Sequence, residues 1–230
     1  MWLSRKKVLI SGCGISYTQQ AHCKTWGNIL RLTGLEVIDT GGPAVSNHWI
    51  LNRAINYLLQ NSVDYVVIQL TNIDKLDVEV NDIREEALVK PDTIRNFVID
   101  NVWPSSVSLE HPAKQMWYEH LFSPRLELQD IEVKLRLLKF YCDTNHIPLL
   151  ILKGYDLPEN NFNELLYNHQ SLYEQYESDE FFVYHNDQPH MSTPCLEFQF
   201  VIAYQIVDAL KLDVKPQIDK IQAQYWNKNH

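Results

Sequence analysis

The side chains best suited to chemistry fall in four short polar stretches of the 230-residue chain. Gly12–Thr18 offers the Cys13 thiol and the Ser16 hydroxyl, beside Ser11 and the glycines Gly12 and Gly14. Asp39–Asn47 joins a carboxylate to the Gly41-Gly42 pair, and Thr71–Asp74 carries the amide of Asn72. His185–Ser192 places Asp187 three residues before His190. That last pair is the most informative, because imidazole titrates near neutrality and a nearby carboxylate can orient it for proton transfer. His185 with His190 could begin a metal site, but no third ligand is evident. The Cys13 thiol is a weaker candidate, since alternation in an extended chain turns it away from position 14 and under the sheet. His22, His48, His111, His120 and His146 have no partner at a useful spacing.

The elements between these stretches explain how they could meet. Val8-Leu9-Ile10-Ser11 reads as a buried first strand, and Trp26, Ile29, Leu30 and Leu32 have helical spacing that Gly34 ends. Leu35–Ile38 makes a second strand. Ile50, Leu51, Ala54, Ile55 and Leu58 mark an amphipathic helix with Ser46 or Asn47 as its N-cap. Asp64–Leu70 is the clearest buried strand, Leu149–Lys153 a fourth and Phe181–Tyr184 a fifth. Leu126–Cys142 and Leu196–Leu210 read as helices. Strands alternating with helices predict a mostly parallel sheet covered on both faces, a three-layer α/β fold. Ligands of such sheets sit at the carboxyl ends of the strands, where the order reverses, and all four polar stretches follow strands. With a flavodoxin-like order 2-1-3-4-5, the first three stretches surround one crevice.

Composition bounds the function. A 45% hydrophobic share and a 21% charged share suit one globular domain over 1–230, with an insertion or lid at about 73–125. The formal net charge of -9 offers no basic surface to a phosphate backbone, so a nucleic-acid partner is not expected. No apolar run approaches the roughly 20 residues a bilayer needs, and the opening residues pass straight into a strand without a leader. The four cysteines form no Cys-x-x-Cys pair and read as thiols of a reducing compartment, so a cytoplasmic location without membrane contact is expected.

At this point the turns resemble a known group. Ser11-Gly12-Cys13-Gly14-Ile15-Ser16 is similar to the first block of SGNH (GDSL-type) hydrolases, and Trp26 stands where many of them carry it. Gly41-Gly42-Pro43-Ala44-Val45-Ser46-Asn47 resembles the second block, Ile68-Gln69-Leu70-Thr71-Asn72 the third, and Asp187-Gln188-Pro189-His190 the closing Asp-x-x-His block. The opening also resembles uncharacterised SGNH-like proteins of phages and marine bacteria; for a phage protein, virion association would follow.

The resemblance implies an esterase or deacylase acting on an acylated small molecule or glycan, without metal or organic cofactor. His190 would be the base, Asp187 its orienter, and the Gly42 N–H and Asn72 amide the oxyanion donors. The first block departs from the pattern, because the overlay puts Gly14 at the nucleophile position and glycine cannot attack. Ser16 is the substitute: in an extended chain it points to the same side, roughly 6–7 Å further along. Ser11 is the other hydroxyl, at a strand end where burial is expected.

The same residues have plain structural uses. Ser16 can cap a turn, Asn72 can be a turn residue, and Gly41-Gly42 can serve positive φ. A non-catalytic SGNH-like module binding glycan or protein, or a homo-oligomer, is therefore the competing reading. A dinucleotide-binding turn is the third: Gly12-x-Gly14 follows a strand and Asp39 ends the next, but Tyr17 stands where the third glycine belongs. Aromatic residues at 97–122 fit lid packing or sugar stacking.

Overall fold

A computed structural model describes residues 5–13, 25–42, 45–73, 78–79, 102–103, 120–168, 170–175, 182–184, 192–194 and 196–229. Four short segments with apolar centres form one parallel sheet: β1 (Lys7–Ser11), β2 (Glu36–Asp39), β3 (Tyr65–Leu70) and β6 (Leu149–Lys153), in the order β2-β1-β3-β6. The register pairs Ile10 with Asp39 and with Val67, and Ile68 with Ile151, so the strand ends line up along one edge. These are the first four positions of the expected order.

Alternation along the strands divides the core in two. Val8, Ile10, Val67, Leu150 and Leu152 face one layer. It contains α1 (Trp26–Leu32), α5 (Leu196–Ala209) and α6 (Lys215–Asn229). Leu9, Val66, Ile68, Leu70 and Ile151 face the other, which holds α2 (Asn47–Gln60) and α3 (Pro124–Thr144). The result is helix, sheet, helix. Strands buried on both faces need continuous apolar runs, which β1, β3 and β6 supply, while the edge strand β2 is only partly buried.

Local signals set the helix ends. The Thr25 hydroxyl accepts the Asn28 N–H at the head of α1, and Gly34 takes φ +95° just beyond its end. Ser46, not Asn47, caps α2 by accepting the Trp49 N–H at 3.2 Å. Pro124 opens α3 in the first turn, where its missing N–H costs nothing. The fully buried Trp26 donates its backbone N–H to Oε1 of Gln199 at 2.8 Å, tying α1 to α5.

The segment expected to be the fifth strand is extended at β7 (Phe182–Tyr184), where it pairs antiparallel with β8 (Ser192–Pro194). Among the described residues the main sheet therefore has four strands. Between β3 and α3, in the span expected to be an insertion, β4 (Val78–Glu79) pairs antiparallel with β5 (Val102–Trp103). A 3-10 turn (Asn163–Leu165) and a short helix α4 (Leu172–Gln175) follow β6. The sequence reading contained no equivalent of α6, whose apolar positions Ile218, Ile221 and Tyr225 are few and widely spaced. No helix among the described residues is long and apolar enough to cross a membrane.

Candidate active site

The carboxyl ends of β1, β2, β3 and β6 deliver the turns at 12–13, 40–42, 71–73 and 154 to one edge of the sheet. Specific bonds stitch them together. Thr40 N–H donates to Ile10 O at 2.9 Å and Gly42 N–H to Gly12 O at 3.1 Å, so the second turn lies on the first. The approach is close enough that a Cβ on Gly41 would stand 2.4 Å from Gly12 O, which only glycine avoids. The Asp39 carboxylate accepts the Gly41 N–H at 2.9 Å and shapes the turn further.

The third turn is held from α2. Asn47 is 1% exposed, and its side-chain amide grips the backbone of Thr71 at both ends. Its Oδ1 accepts the Thr71 N–H at 2.8 Å, and its Nδ2 donates to Thr71 O at 2.9 Å and to Asn72 O at 3.3 Å. The Gln69 amide, fully buried at the end of β3, donates to Cys13 Sγ at 3.3 Å and so links the third turn to the first. On the far side, Gly154 N–H donates to Leu70 O at 3.0 Å, and a Cβ there would meet that oxygen at 2.4 Å. The described parts of the first three polar stretches, 12–13, 39–42 with 45–47, and 71–73, thus lie together at one edge of the sheet.

The fate of each candidate residue follows. Asn72 lies half-buried at this edge, with its carbonyl held by Asn47 and no side-chain hydrogen bond to another described residue. Gly42 is buried at the same edge, and its N–H is engaged with Gly12 O. An oxyanion would have to compete with that carbonyl. Ser11 is fully buried and donates to Ile50 O at 2.8 Å, which removes it as a nucleophile. Cys13 is 2% exposed and belongs to the core cluster on the α2 side of the sheet, so it is packed rather than presented. Gly14, Ser16, Asp187 and His190 lie outside the described residues, as do Tyr17 and His185. Asp39, the ribose ligand of the dinucleotide reading, spends one carboxylate oxygen on its own turn.

Sequence reading missed Asn47 as a site-building residue, having given it only a capping role. The signal lay in the Ser46-Asn47 pair, since one helix start needs one cap and the second polar side chain is left for another task. No group of three or more His, Cys, Asp or Glu side chains placed to hold a metal occurs among the described residues.

Neither a protein-family model nor a curated protein sequence matches this chain. Solved structures do. One is a protein described as lipolytic and of the G-D-S-L family, from Desulfitobacterium hafniense: TM-score 0.44, 14% identity, covering 90% of this chain and all of that one (100%). The lipase/acylhydrolase from Enterococcus faecalis has a TM-score of 0.37 and 16% identity, over 92% of this chain and 98% of that one. Axe2, an acetylxylan esterase from Geobacillus stearothermophilus, has a TM-score of 0.34 and 13% identity, over 93% and 98%.

Proposed function

We propose that the carboxyl edge of the sheet is the acyl-transfer site of an SGNH-like serine hydrolase that cleaves an ester or amide on a small molecule or glycan. The observation that carries this reading is the joining of the first three turns, Gly42 to Gly12 and Asn47 to Thr71 and Asn72, at the edge where parallel sheets of this order bind ligands. In this scheme Ser16 attacks the acyl carbon after giving its proton to His190, and Asp187 orients and stabilises the imidazolium that forms. The Asn72 amide, held in place through its backbone by Asn47, donates to the developing oxyanion. The Gly42 N–H joins it once substrate displaces the Gly12 carbonyl, and Gly14 leaves room for the acyl group beside the nucleophile. His190 then returns the proton to the leaving alcohol or amine. Water repeats the cycle to free the acid and restore Ser16.

Short-chain aryl esters test this directly. The native protein should hydrolyse them, and Ser16→Ala and His190→Ala should each remove nearly all of the same activity, because nucleophile and base act as one unit. The competing reading, a non-catalytic module for glycan or protein, rests on glycine at position 14. Gly14→Ser separates the two. Esterase activity appearing only in that variant would mean an assembled oxyanion site that lacks a nucleophile, whereas silence from both proteins would sink the hydrolase reading altogether.

A further inference from the structure

Sequence spacing offers His48 no partner, and the structure supplies three, all on the first three turns of α3. The ring belongs to the second residue of α2 and is 34% exposed. Its Nε2 stands 2.7 Å from Glu127 Oε1, and its Nδ1 stands 2.8 Å from Asp130 Oδ2. The Lys134 ammonium, on a side chain only 19% exposed, lies 2.6 Å from that same Nδ1 and 2.6 Å from Asp130 Oδ2. Glu127, Asp130 and Lys134 share one face of α3 because they are three and four residues apart. Among the described residues no other charged group meets the ring. The next charge along α2 is Arg53, whose guanidinium lies over the Trp49 ring at 5.2 Å. With both nitrogens engaged, His48 is no free general base.

The protons in this cluster allow two arrangements. Lys134 donates to Nδ1 only while that nitrogen keeps its lone pair, which requires a neutral ring. The ring then carries its one proton on Nε2, on the side of Glu127. An imidazolium has a proton on each nitrogen and accepts nothing. Its Nδ1–H can face Asp130, but the Lys134 ammonium must leave. One added proton therefore exchanges a cation for a carboxylate at Nδ1. The exchange matters because of the residue next door. Asn47 shares the first turn of α2 with His48, under the Ser46 cap, and its buried amide holds the Thr71 N–H together with the carbonyls of Thr71 and Asn72. A shift of the His48 ring against α3 reaches that amide through one peptide unit.

We infer that His48, Glu127, Asp130 and Lys134 form a proton-operated clasp between the heads of α2 and α3 that positions the third turn of the site. With Lys134 latched on the neutral ring, the head of α2 stands where Asn47 grips Thr71 and Asn72. Protonation of His48 unlatches Lys134 and shifts that grip. His48 is thus a positioning residue that acts through Asn47 and touches no substrate. Its consequence for catalysis rests on the proposed role of Asn72 as an oxyanion donor; the clasp itself does not.

NMR of the 15N-labelled 230-residue chain, taken between about pH 8 and 5 where imidazoles change charge, reads the clasp without any activity. The Asn47 side-chain amide and the Thr71 N–H signals should move along the same curve as the His48 ring. Two variants remove the exchange in different ways. Lys134→Met has no ammonium to expel, and His48→Gln gains no proton while still offering an oxygen to Lys134 and an N–H to Glu127. In both, the two signals should stay fixed over that range while the melting curve remains that of a folded protein. Signals that stay fixed in the native protein while the ring titrates overturn the inference. So do signals that move as far in Lys134→Met, or a native ring that keeps one charge throughout. Aryl-ester kinetics supply the second arm. The acid limb of kcat, to which His190 contributes in every variant, should be steeper in the native protein than in His48→Gln, with KM nearly unchanged. Moving signals in an inactive protein would sink the hydrolase reading and leave the clasp standing; fixed signals in an active one would do the reverse.

Discussion

Asn47 sits in the first turn of α2, where Ser46 has already taken the capping bond. Its amide instead satisfies the N–H and the carbonyl of Thr71 in a place water does not reach. Removing such a partner costs more than the bond is worth, because a buried backbone group left alone keeps its full desolvation penalty of roughly 1–3 kcal/mol. Asn47→Ala should therefore lose at least ~2 kcal/mol, read as a lower urea midpoint with an unchanged slope. Asn47→Asp should fare no better, since a carboxylate oxygen would face the carbonyls of Thr71 and Asn72. A variant as stable as the native protein would show that the third turn holds itself. A second residue-scale expectation concerns Cys142. Burial pushes its thiol up to about 11, and no part of the side chain is exposed. Iodoacetamide at pH 8 should leave Cys142 unmodified in the folded protein and alkylate it in urea; fast labelling of the native state would contradict the packing of α3 on the sheet.

At the scale of elements, Asp64 joins the starts of β1 and β3. Its carboxylate accepts the Lys7 N–H at 2.7 Å and meets Lys6 Nζ at 3.2 Å, while its own N–H donates to Lys7 O. The backbone bond from Lys7, helped by the Lys6 ammonium, holds this carboxyl below its ordinary 3.8. The unfolded chain therefore binds the proton more readily than the folded one. The stabilisation is fully present above about pH 4 and is lost as the pH falls through the lower, folded value. Its size is modest, under ~1 kcal/mol, since the side chain is 37% exposed. Asp64→Asn should flatten the acid limb of the stability curve without moving the neutral plateau by more than that. An acid limb identical in both proteins would remove Asp64 from the account. The neighbouring elements were also the most legible ones in the sequence. β3 is a six-residue run in which five residues are buried, and no other element fits such a run between two turns. α6 was illegible for the opposite reason: Ile218 and Ile221 are submerged in a polar helix, and the surface they cover belongs to α1 and α5. That demand is tertiary, so no local pattern announces it.

For the whole molecule, the order β2-β1-β3 turns three separate loops into one site, and this much follows from alternating strands and helices together with the parallel rule. The convergence was legible because each polar stretch follows a strand. The division of labour inside it was not. Gly42 reads as an outward-facing donor in sequence, yet its N–H is bonded to Gly12 O, a contact set by the pairing of β1 with β2 rather than by either turn alone. Ser11 likewise reads as a spare hydroxyl until the carbonyl of Ile50 arrives from α2. The burial of Ser11 and Cys13 leaves Ser16 as the nucleophile that the proposal stands on. The most direct measurement is therefore covalent: a fluorophosphonate probe on the native 230-residue chain, with the adduct located by mass spectrometry. The account predicts one adduct, on Ser16, that disappears in His190→Ala while the fold persists. A protein that takes no label, or takes it on a residue other than Ser16, would contradict it.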